Sequence, residues 1–302
     1  MKSLLATLTF FLFHSFAATA QKQDSIVLSN AVLYYSVHGN GQPILLLSGG
    51  PGLSSDNLFE LFEQVSKRYK CILFDQRGTG KSHTEPLDSS TINLNQSFND
   101  INSLLEKLKI SKVTIIGHSW GAMLGMSYAI KYPDRVSKLV SVGSGPLGMS
   151  DYHIIEEDIM SKASKEERNF MDQAQDSMAH HTASRELMRS YSRILLRLFL
   201  YDSRKLDSIV EFLKKGSQND AMQGLMLQDL AKIKYDIKPG VAKLQMPLLA
   251  LCGRQDPVGI FPTIMMSQLN KKVKTVWIER SGHFPWLEQS DTFYSALFDF
   301  LK

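Results

Sequence analysis

The sequence contains a serine framed by two glycines, Gly117-His-Ser-Trp-Gly121, where an apolar run gives way to a helical pattern. A sharp turn from a strand into a helix holds such a serine in a strained conformation with its hydroxyl exposed. Both glycines are needed because a side chain at either position would collide with the neighbouring strand or helix. The amides that begin the following helix favour negative charge developing beside the serine. The motif predicts that Ser119 is a nucleophile.

A serine nucleophile needs a histidine as its base and a carboxylate that orients the histidine. His283 lies directly after the last apolar run, and Asp256 lies directly after the run before it. Pro257 favours extended backbone at Asp256, which suits a carboxylate at the end of a strand. The remaining histidines precede Ser119, adjoin it or lie in the helical region described below; they are His14, His38, His83, His118, His153, His180 and His181. We therefore expect Asp256 to orient His283 as the base.

Negative charge on the substrate would need backbone donors. The N–H of Trp120, directly after the nucleophile, is the first candidate. The second is the N–H of Gly50 in Gly49-Gly-Pro-Gly52, because glycines let backbone approach a substrate closely. We expect Pro51 to keep Gly50 extended.

A second glycine-rich stretch, Gly78-Thr-Gly-Lys-Ser82, is not a phosphate-binding loop. The Walker A motif needs a glycine at position 75, where this chain has Asp75. We expect Asp75 and Arg77 to form an ion pair beneath the candidate site.

Short apolar runs alternate with helical patterns on both sides of a long helical region. The runs are 44–47, 71–74, 113–116, 136–142, 248–252 and 274–278, and a strand pair is expected at 25–38. Such alternation predicts an α/β fold with a mostly parallel central sheet and helices on both faces. Its chemistry is expected in loops beyond the carboxyl ends of the strands, where Ser119, Asp256 and His283 all fall.

Residues 146–246 carry helical patterns and no convincing strand. They hold 15 of the 30 acidic residues and eight of the 13 methionines. We predict an inserted helical cap here, between core segments 21–145 and 247–302. The methionines either line an adaptable pocket or pack between the helices. Arginines recur at every fourth position and share one helix face. This pattern is more typical of a solvent-exposed face that pairs with carboxylates than of a binding site for an acidic substrate. The arginines are Arg185, Arg189, Arg193 and Arg197.

Composition narrows the remaining function classes. The chain has 302 residues, 43% of them apolar and 21% charged, as in globular proteins. A net charge of +4 is too small to indicate nucleic acid or an anionic membrane as a partner. Cys71 and Cys252 lie inside apolar runs, so we expect two buried free thiols. Two cysteines cannot supply a Cys-rich zinc site, and we expect neither a metal nor a cofactor.

The N-terminus has the pattern of a secretory signal peptide. Lys2 precedes an apolar stretch at 4–16, and Ala18-Thr-Ala20 matches a cleavage site. The stretch is shorter than the roughly 20 residues that a membrane span needs. We expect export to the periplasm or medium after cleavage near Ala20, with no stable membrane insertion afterwards.

Four motifs together resemble the prolyl aminopeptidase (proline iminopeptidase) group of α/β-hydrolases. They are Gly49-Gly-Pro-Gly52, Asp75-Gln-Arg-Gly-Thr-Gly-Lys-Ser82, Gly117-His-Ser-Trp-Gly121 and Gly253-Arg-Gln-Asp-Pro257. The resemblance implies an α/β-hydrolase fold and release of an N-terminal residue, often proline, from short peptides. It implies the roles of nucleophile, acid and base for Ser119, Asp256 and His283.

The resemblance also implies that cap glutamates near tryptophans hold the substrate's free amine, because a buried charge needs a partner. The density of acidic residues in the cap suggests four candidates: Glu156, Glu157, Glu186 and Glu211. All three tryptophans, at 120, 277 and 286, lie outside the predicted cap. A carboxylesterase or amidase acting on small acyl substrates therefore stays open, as does, less favoured, a binding protein without catalysis.

Overall fold

The computed structural model describes residues 23–180 and 182–302; the predicted signal peptide (1–20) and His181 lie outside them. Nine strands in this described part form one sheet. They are β1 Gln23–Val27, β2 Ala31–His38, β3 Pro43–Leu47, β4 Lys70–Phe74, β5 His83–Thr84, β6 Val113–His118, β7 Val136–Val142, β8 Leu248–Gly253 and β9 Val273–Ile278.

The strands lie in the order β1-β2-β4-β3-β6-β7-β8-β9, with β5 beside β2. Along this order, each strand from β4 through β3, β6, β7 and β8 to β9 is parallel to its neighbour. The pairs that involve β2, including the pair with β5, are antiparallel. The mostly parallel sheet predicted from the alternating pattern is confirmed. The carboxyl ends of β3, β6, β7 and β8 therefore meet at one edge.

Helices follow most of the parallel strands. Their bounds are α1 Phe59–Ser66, α2 Leu94–Lys107, α3 Trp120–Lys131, α4 Tyr152–Ser161, α5 Lys165–Ala179, α6 Arg185–Phe199, α7 Leu206–Leu213, α8 Asp220–Lys232, α9 Lys238–Val241, α10 Ile260–Leu269, α11 Pro285–Glu288 and α12 Ser290–Leu301. Short 3-10 turns lie at Ser55–Leu58, Pro133–Arg135, Met149–Asp151 and Ser203–Lys205.

The two faces of the sheet pack into separate cores. Leu45 and Leu47 of β3 join a core that includes side chains of α2 and α3. Ile44 and Leu46 join a second core with side chains of α1 and α12. Since neighbouring residues on a strand point to opposite faces, helices on both faces explain why these strands are apolar throughout.

Helices α4 to α9 lie between β7 and β8, and we call residues 149–241 the insert. Several of its helices begin at capping side chains: Ser164 accepts from Glu167 N in a capping box, and Ser184 accepts from Leu187 N. Backbone bridges from Leu53 to Gln218 and from Gly148 to Asp236 tie the insert to core loops. The boundaries of the predicted cap remain a prediction.

Three methionines of the insert are buried, namely Met171, Met222 and Met226. Met222 and Met226 belong to the large core that contains Leu45, and Met171 packs within the insert. Packing accounts for these three, whereas Met188 is exposed.

The expected ion pair between Asp75 and Arg77 is wrong. Asp75 accepts hydrogen bonds from the N–H and hydroxyl of Ser55 and from Lys81 N. Arg77 forms a buried two-point pair with Asp100, with N···O distances of 2.5 and 2.9 Å. Asp75 and Arg77 lie two positions apart in the turn after β4 and have different partners, and helix α2 supplies the partner of Arg77.

Three other expectations concern the two cysteines, the arginine row and membrane-spanning helices. Cys71 and Cys252 are free and buried, as predicted. Two arginines of the α6 row pair with carboxylates: Arg193 with Asp207, and Arg197 with Glu167. In the part of the chain that the structure describes, no helix is both long and apolar enough to cross a membrane.

Candidate active site

Ser119 occupies a sharp turn between β6 and α3. Its backbone has φ 54° and ψ −117°, a left-handed conformation that non-glycine residues rarely adopt. A Cβ atom on Gly117 would lie 2.2 Å from the Gly121 carbonyl oxygen, and one on Gly121 would lie 2.0 Å from the Leu47 carbonyl oxygen. Both glycines are therefore required, as the sequence indicated. The turn leaves Ser119 partly exposed between two buried neighbours.

His283 and Asp256 are in direct contact on the loops that follow β9 and β8. The Nδ1 atom of His283 lies 3.0 Å from each carboxylate oxygen of Asp256. Asp256 is fully buried and also accepts from Val258 N at 2.9 Å. Burial by itself raises the pKa of Asp256, but His283 and the backbone hydrogen bonds outweigh it and hold the pKa below its usual value. The carboxylate is thus ionised and suited to orienting a histidine.

Glycines make the space for this contact. Gly143, directly after β7, has φ +51°, and a Cβ there would lie 2.7 Å from Asp256 Oδ2 and 3.2 Å from His283 Nδ1. A Cβ on Gly259 would lie 2.4 Å from the same Asp256 oxygen. Any larger residue at either position would displace the carboxylate.

His118 links the serine turn to the His283 loop. Its ring centroid lies 4.6 Å from that of His283, and its Nε2 lies 3.0 Å from the His283 carbonyl oxygen. Burial, with a smaller contribution from His283, lowers the pKa of His118 to about 3. His118 is therefore neutral and donates its Nε2–H to that carbonyl. Because Ser119 directly follows His118 in the sequence, this hydrogen bond ties the serine turn to the backbone of His283.

The glycine loop after β3 lies against the serine turn. A Cβ on Gly49 would be 3.4 Å from Ser119 Cβ. The expectation of extended backbone at Gly50 is wrong, because Gly50 has φ +114° and precedes a cis peptide bond to Pro51. Only glycine tolerates that φ readily. The loop is nevertheless near enough to supply backbone donors, and Trp120 begins α3 directly after Ser119.

Gln76 joins the two candidate donor segments. Its Nε2 donates to the carbonyl and hydroxyl oxygens of Ser48, both at 3.0 Å. Its Oε1 accepts from the indole N–H of Trp120 at 2.9 Å. The glycine loop and the start of α3 are thus fixed to each other by one buried side chain.

The four candidate glutamates of the insert lie elsewhere. All are exposed: Glu156, Glu157, Glu186 and Glu211. Glu211 pairs with Lys214 at 2.5 Å. None of them has the burial that a partner for a desolvated amine needs.

Sequence reasoning missed three residues that shape the site: Gln76, Gly143 and Glu288. Gln76 lies inside the Asp75-Gln-Arg-Gly motif, and this position could have marked it as a candidate site residue. Gly143 follows a strand directly, which also marks it. Glu288 is 4% exposed and accepts from Gly282 N at 2.6 Å. No local sequence pattern predicts this contact.

The arrangement provides a strained serine, a histidine held by an ionised carboxylate, and a glycine loop beside the serine. These are the parts needed for nucleophilic acyl transfer. Among the described residues, no group of three or more His, Cys, Asp or Glu is placed to hold a metal ion.

Residues 42–290 match the family model of the alpha/beta hydrolase fold, and the chain belongs to this family. A proline iminopeptidase of Heyndrickxia coagulans is 25% identical over 277 residues, which are 89% of this chain and 93% of that protein. The 2-hydroxy-6-oxo-6-phenylhexa-2,4-dienoate hydrolase of Comamonas testosteroni is 23% identical over 292 residues, 91% of this chain and 93% of that protein.

An alpha/beta fold family hydrolase from Bacillus anthracis has a similar structure, with a TM-score of 0.78 and 20% identity. The match covers 93% of this chain and 99% of that one, and it bears on the fold alone. The predicted α/β-hydrolase fold, the resemblance to proline iminopeptidases and the assignment to hydrolytic enzymes are confirmed.

Proposed function

We propose that the protein is an exported serine hydrolase with a Ser119–His283–Asp256 triad. The observation that carries the proposal is the His283 Nδ1 atom, 3.0 Å from both oxygens of the buried Asp256. The strained turn at Ser119 supports it, because strained backbone is typical of functional sites and a turn of this kind exposes the serine hydroxyl for attack.

In the proposed reaction Asp256 keeps a proton on Nδ1 of His283, which leaves Nε2 as the basic nitrogen. Nε2 accepts the Ser119 proton while the serine oxygen attacks the scissile carbonyl. The N–H groups of Gly50 and Trp120 stabilise the oxyanion. His283 then protonates the leaving group, and a water molecule activated by the same base releases the acyl enzyme.

The substrate we propose is a short peptide from which an N-terminal residue, such as proline, is released. Similarity to the proline iminopeptidase of Heyndrickxia coagulans over most of both chains supports this class. A carboxylesterase or amidase acting on small acyl substrates is the second candidate. The exposure of Glu156, Glu157, Glu186 and Glu211 favours it, because an ester without a free amine needs no buried carboxylate.

The nucleophile is tested first, with the wild type and Ser119→Ala on an aryl ester and a proline arylamide. Loss of the triad serine should lower turnover by roughly 10⁶-fold on whichever substrate is used. Labelling by a fluorophosphonate should occur in the wild type and be absent in the variant. Near-normal turnover by Ser119→Ala would remove Ser119 from the mechanism, and an unlabelled, inactive wild type would favour a binding protein.

Substrate class is tested by comparing a proline arylamide with its N-acetyl counterpart. A carboxylate that holds the amine should favour the free form by about 100-fold or more, since a buried charged contact contributes roughly 2–5 kcal/mol. Equal rates, or faster cleavage of the acetylated compound, would leave the esterase or amidase as the function.

Export is proposed from the sequence pattern at Lys2 and Ala18-Thr-Ala20. Expression of the full chain in a bacterial host, followed by fractionation and mass spectrometry, should recover a periplasmic or secreted form beginning at Gln21. An intact N-terminus retained in the cytoplasm would contradict export.

A further inference from the structure

The carboxylate of Glu288 joins the insert to the loop that carries His283. Its Oε2 accepts from Gly282 N at 2.6 Å, and its Oε1 accepts from Tyr201 N and Asp202 N at 2.9 and 3.1 Å. Glu288 is 4% exposed, so the three N–H groups take the place of water around the carboxylate. Hydrogen bonds from backbone N–H groups to an ionised carboxylate are among the stronger ones in proteins.

The same stretch of the insert also contacts His283 itself. The His283 N–H donates to the Phe199 carbonyl oxygen at 2.8 Å. A Cβ on Gly282 would lie 2.0 Å from that oxygen, so residues 282 and 283 run directly against the end of α6. The ring centroids of Phe199 and His283 are 5.2 Å apart. The backbone at His283 is thus placed by the insert as well as by the sheet.

Two lysines of the insert fix the surroundings of this contact. Lys162 Nζ lies 3.0 Å from the Leu200 carbonyl oxygen and 3.3 Å from that of Gln255, the residue before the proposed orienting acid. Lys205 Nζ lies 2.8 Å from the Glu288 carbonyl oxygen. Both lysines act on backbone carbonyls, and the carboxylate of Glu288 holds the backbone N–H groups.

We propose that Glu288 is a positioning residue that sets the place of His283 by binding Gly282 to residues 201 and 202 of the insert. The inference rests on the proposed serine hydrolase function, because it assigns a residue that acts through the proposed base. Glu288 lies behind the histidine loop and takes no part in bond making.

The variant that tests this is Glu288→Gln. A glutamine side chain has one acceptor oxygen and one NH₂ group. Its NH₂ group must therefore face either Gly282 N or the N–H groups of residues 201 and 202, and on that side donor meets donor with no hydrogen bond. One side of the junction is then lost with little change in volume. We expect kcat on an aryl ester to fall on the order of 10²-fold, the effect of misplacing a catalytic group by about 1 Å. KM should stay within about twofold, since no substrate contact is removed.

The rate of fluorophosphonate labelling at Ser119 should fall by the same factor, because labelling also depends on the base. Glu279→Gln is the matched control: it removes one negative charge at the end of β9, where the carboxylate is 69% exposed and faces Arg254. This control should label and turn over like the wild type. An unlabelled wild type would overturn the proposed function, whereas a wild type and Glu288→Gln labelled at equal rates would overturn only the positioning role.

A merely structural role would lower the thermal midpoint and reduce the amount of active enzyme, with an unchanged rate per labelled serine. That outcome would also overturn the proposal. If Glu288→Gln does not fold, Glu288→Asp keeps the charge but shortens the side chain, so that the carboxylate no longer reaches Gly282 N and the N–H groups of residues 201 and 202 together. Slower labelling in that variant supports the proposal, and wild-type labelling contradicts it.

Discussion

The Nε2 atom of His118 donates a hydrogen bond to the backbone carbonyl of His283 across 3.0 Å. The residue before the proposed nucleophile therefore holds the main chain of the proposed base, 165 residues further along the chain. Because His118 is neutral, it can do this without placing a positive charge beside His283.

Two replacements of His118 should separate the effect of its hydrogen bond on turnover from the effect of its side-chain volume. His118→Phe fills similar space but leaves the buried His283 carbonyl without a donor, and kcat/KM should fall on the order of 10²-fold. His118→Gln retains an N–H donor and should lose less than about tenfold. Steady-state kinetics, corrected for the fraction of labelled Ser119, give both values. Equal kinetics for wild type and His118→Phe would show that the contact has no role in turnover.

The low pKa of His118 also predicts how stability depends on pH. Between about pH 6.5 and 3 the unfolded chain protonates this histidine and the folded chain does not, so the free energy of unfolding falls as pH falls. The slope from one such group is up to about 1.4 kcal/mol per pH unit. Urea unfolding at pH 7, 6, 5 and 4 should show a shallower dependence for His118→Gln. Parallel curves for the two proteins would contradict the buried neutral state.

Gly143→Ala should damage the proposed triad without replacing any of its three residues. The new methyl group would lie 2.7 Å from Asp256 Oδ2 at a φ of +51°, so the carboxylate must move. We expect kcat to fall on the order of 10²-fold.

The control for this change is Gly224→Ala, in α8, where a Cβ meets nothing within 4 Å. That substitution should keep full activity and raise the free energy of unfolding by about 0.5–1 kcal/mol. Full activity in Gly143→Ala would mean that the Asp256–His283 contact adjusts freely.

Asp256→Asn should keep the fold and lower kcat by on the order of 10⁴-fold, because an amide stabilises the wrong tautomer of His283. The competing carboxylates are placed differently: Asp75 bonds to Ser55 and Lys81, and Glu279 is exposed. Turnover by Glu279→Gln serves as the comparison. Our assignment fails if that variant, and not Asp256→Asn, is inactive.

The buried Arg77–Asp100 pair should dominate stability near the site. Asp100→Ala leaves an uncompensated buried guanidinium, which should cost about 3–5 kcal/mol of unfolding free energy. Asp207→Ala removes the carboxylate that pairs with the exposed Arg193 and should cost about 1 kcal/mol or less. Urea unfolding of the two variants at neutral pH makes the comparison, and similar losses would refute it.

The sequence was informative where chemistry depends on local backbone. The parallel strands were predicted within a few residues because each is a short apolar run, and the Ser119 turn because its glycines have no substitute; the two-residue β5 was not predicted. Asp256 and His283 could be placed since each lies in the loop that follows a strand. The bounds of β7 match the predicted run 136–142 at both ends.

Contacts between distant segments could not be predicted in the same way. Arg77 pairs with Asp100 on a helix, and no spacing rule favours that carboxylate over Asp75, which is only two positions away from Arg77 in the sequence. The density of acidic residues in the insert says nothing of their burial, and the four candidate glutamates are exposed. Glu288 binds three backbone N–H groups whose approach depends on the folded path of the insert.

The insert leaves the sheet at β7 and returns at β8, and these strands are neighbours in it. Its connection is roughly six times as long as the one from β6 to β7, and since each doubling costs about 0.6 kcal/mol of closure entropy, the extra cost is roughly 1.5 kcal/mol. The length of the insert is thus thermodynamically almost free to change during evolution. What must be preserved, besides the α8 side chains Met222 and Met226 that belong to the main core, is the short stretch from Phe199 to Asp202 that contacts the His283 loop. The length of the other helices can therefore change without loss of these contacts.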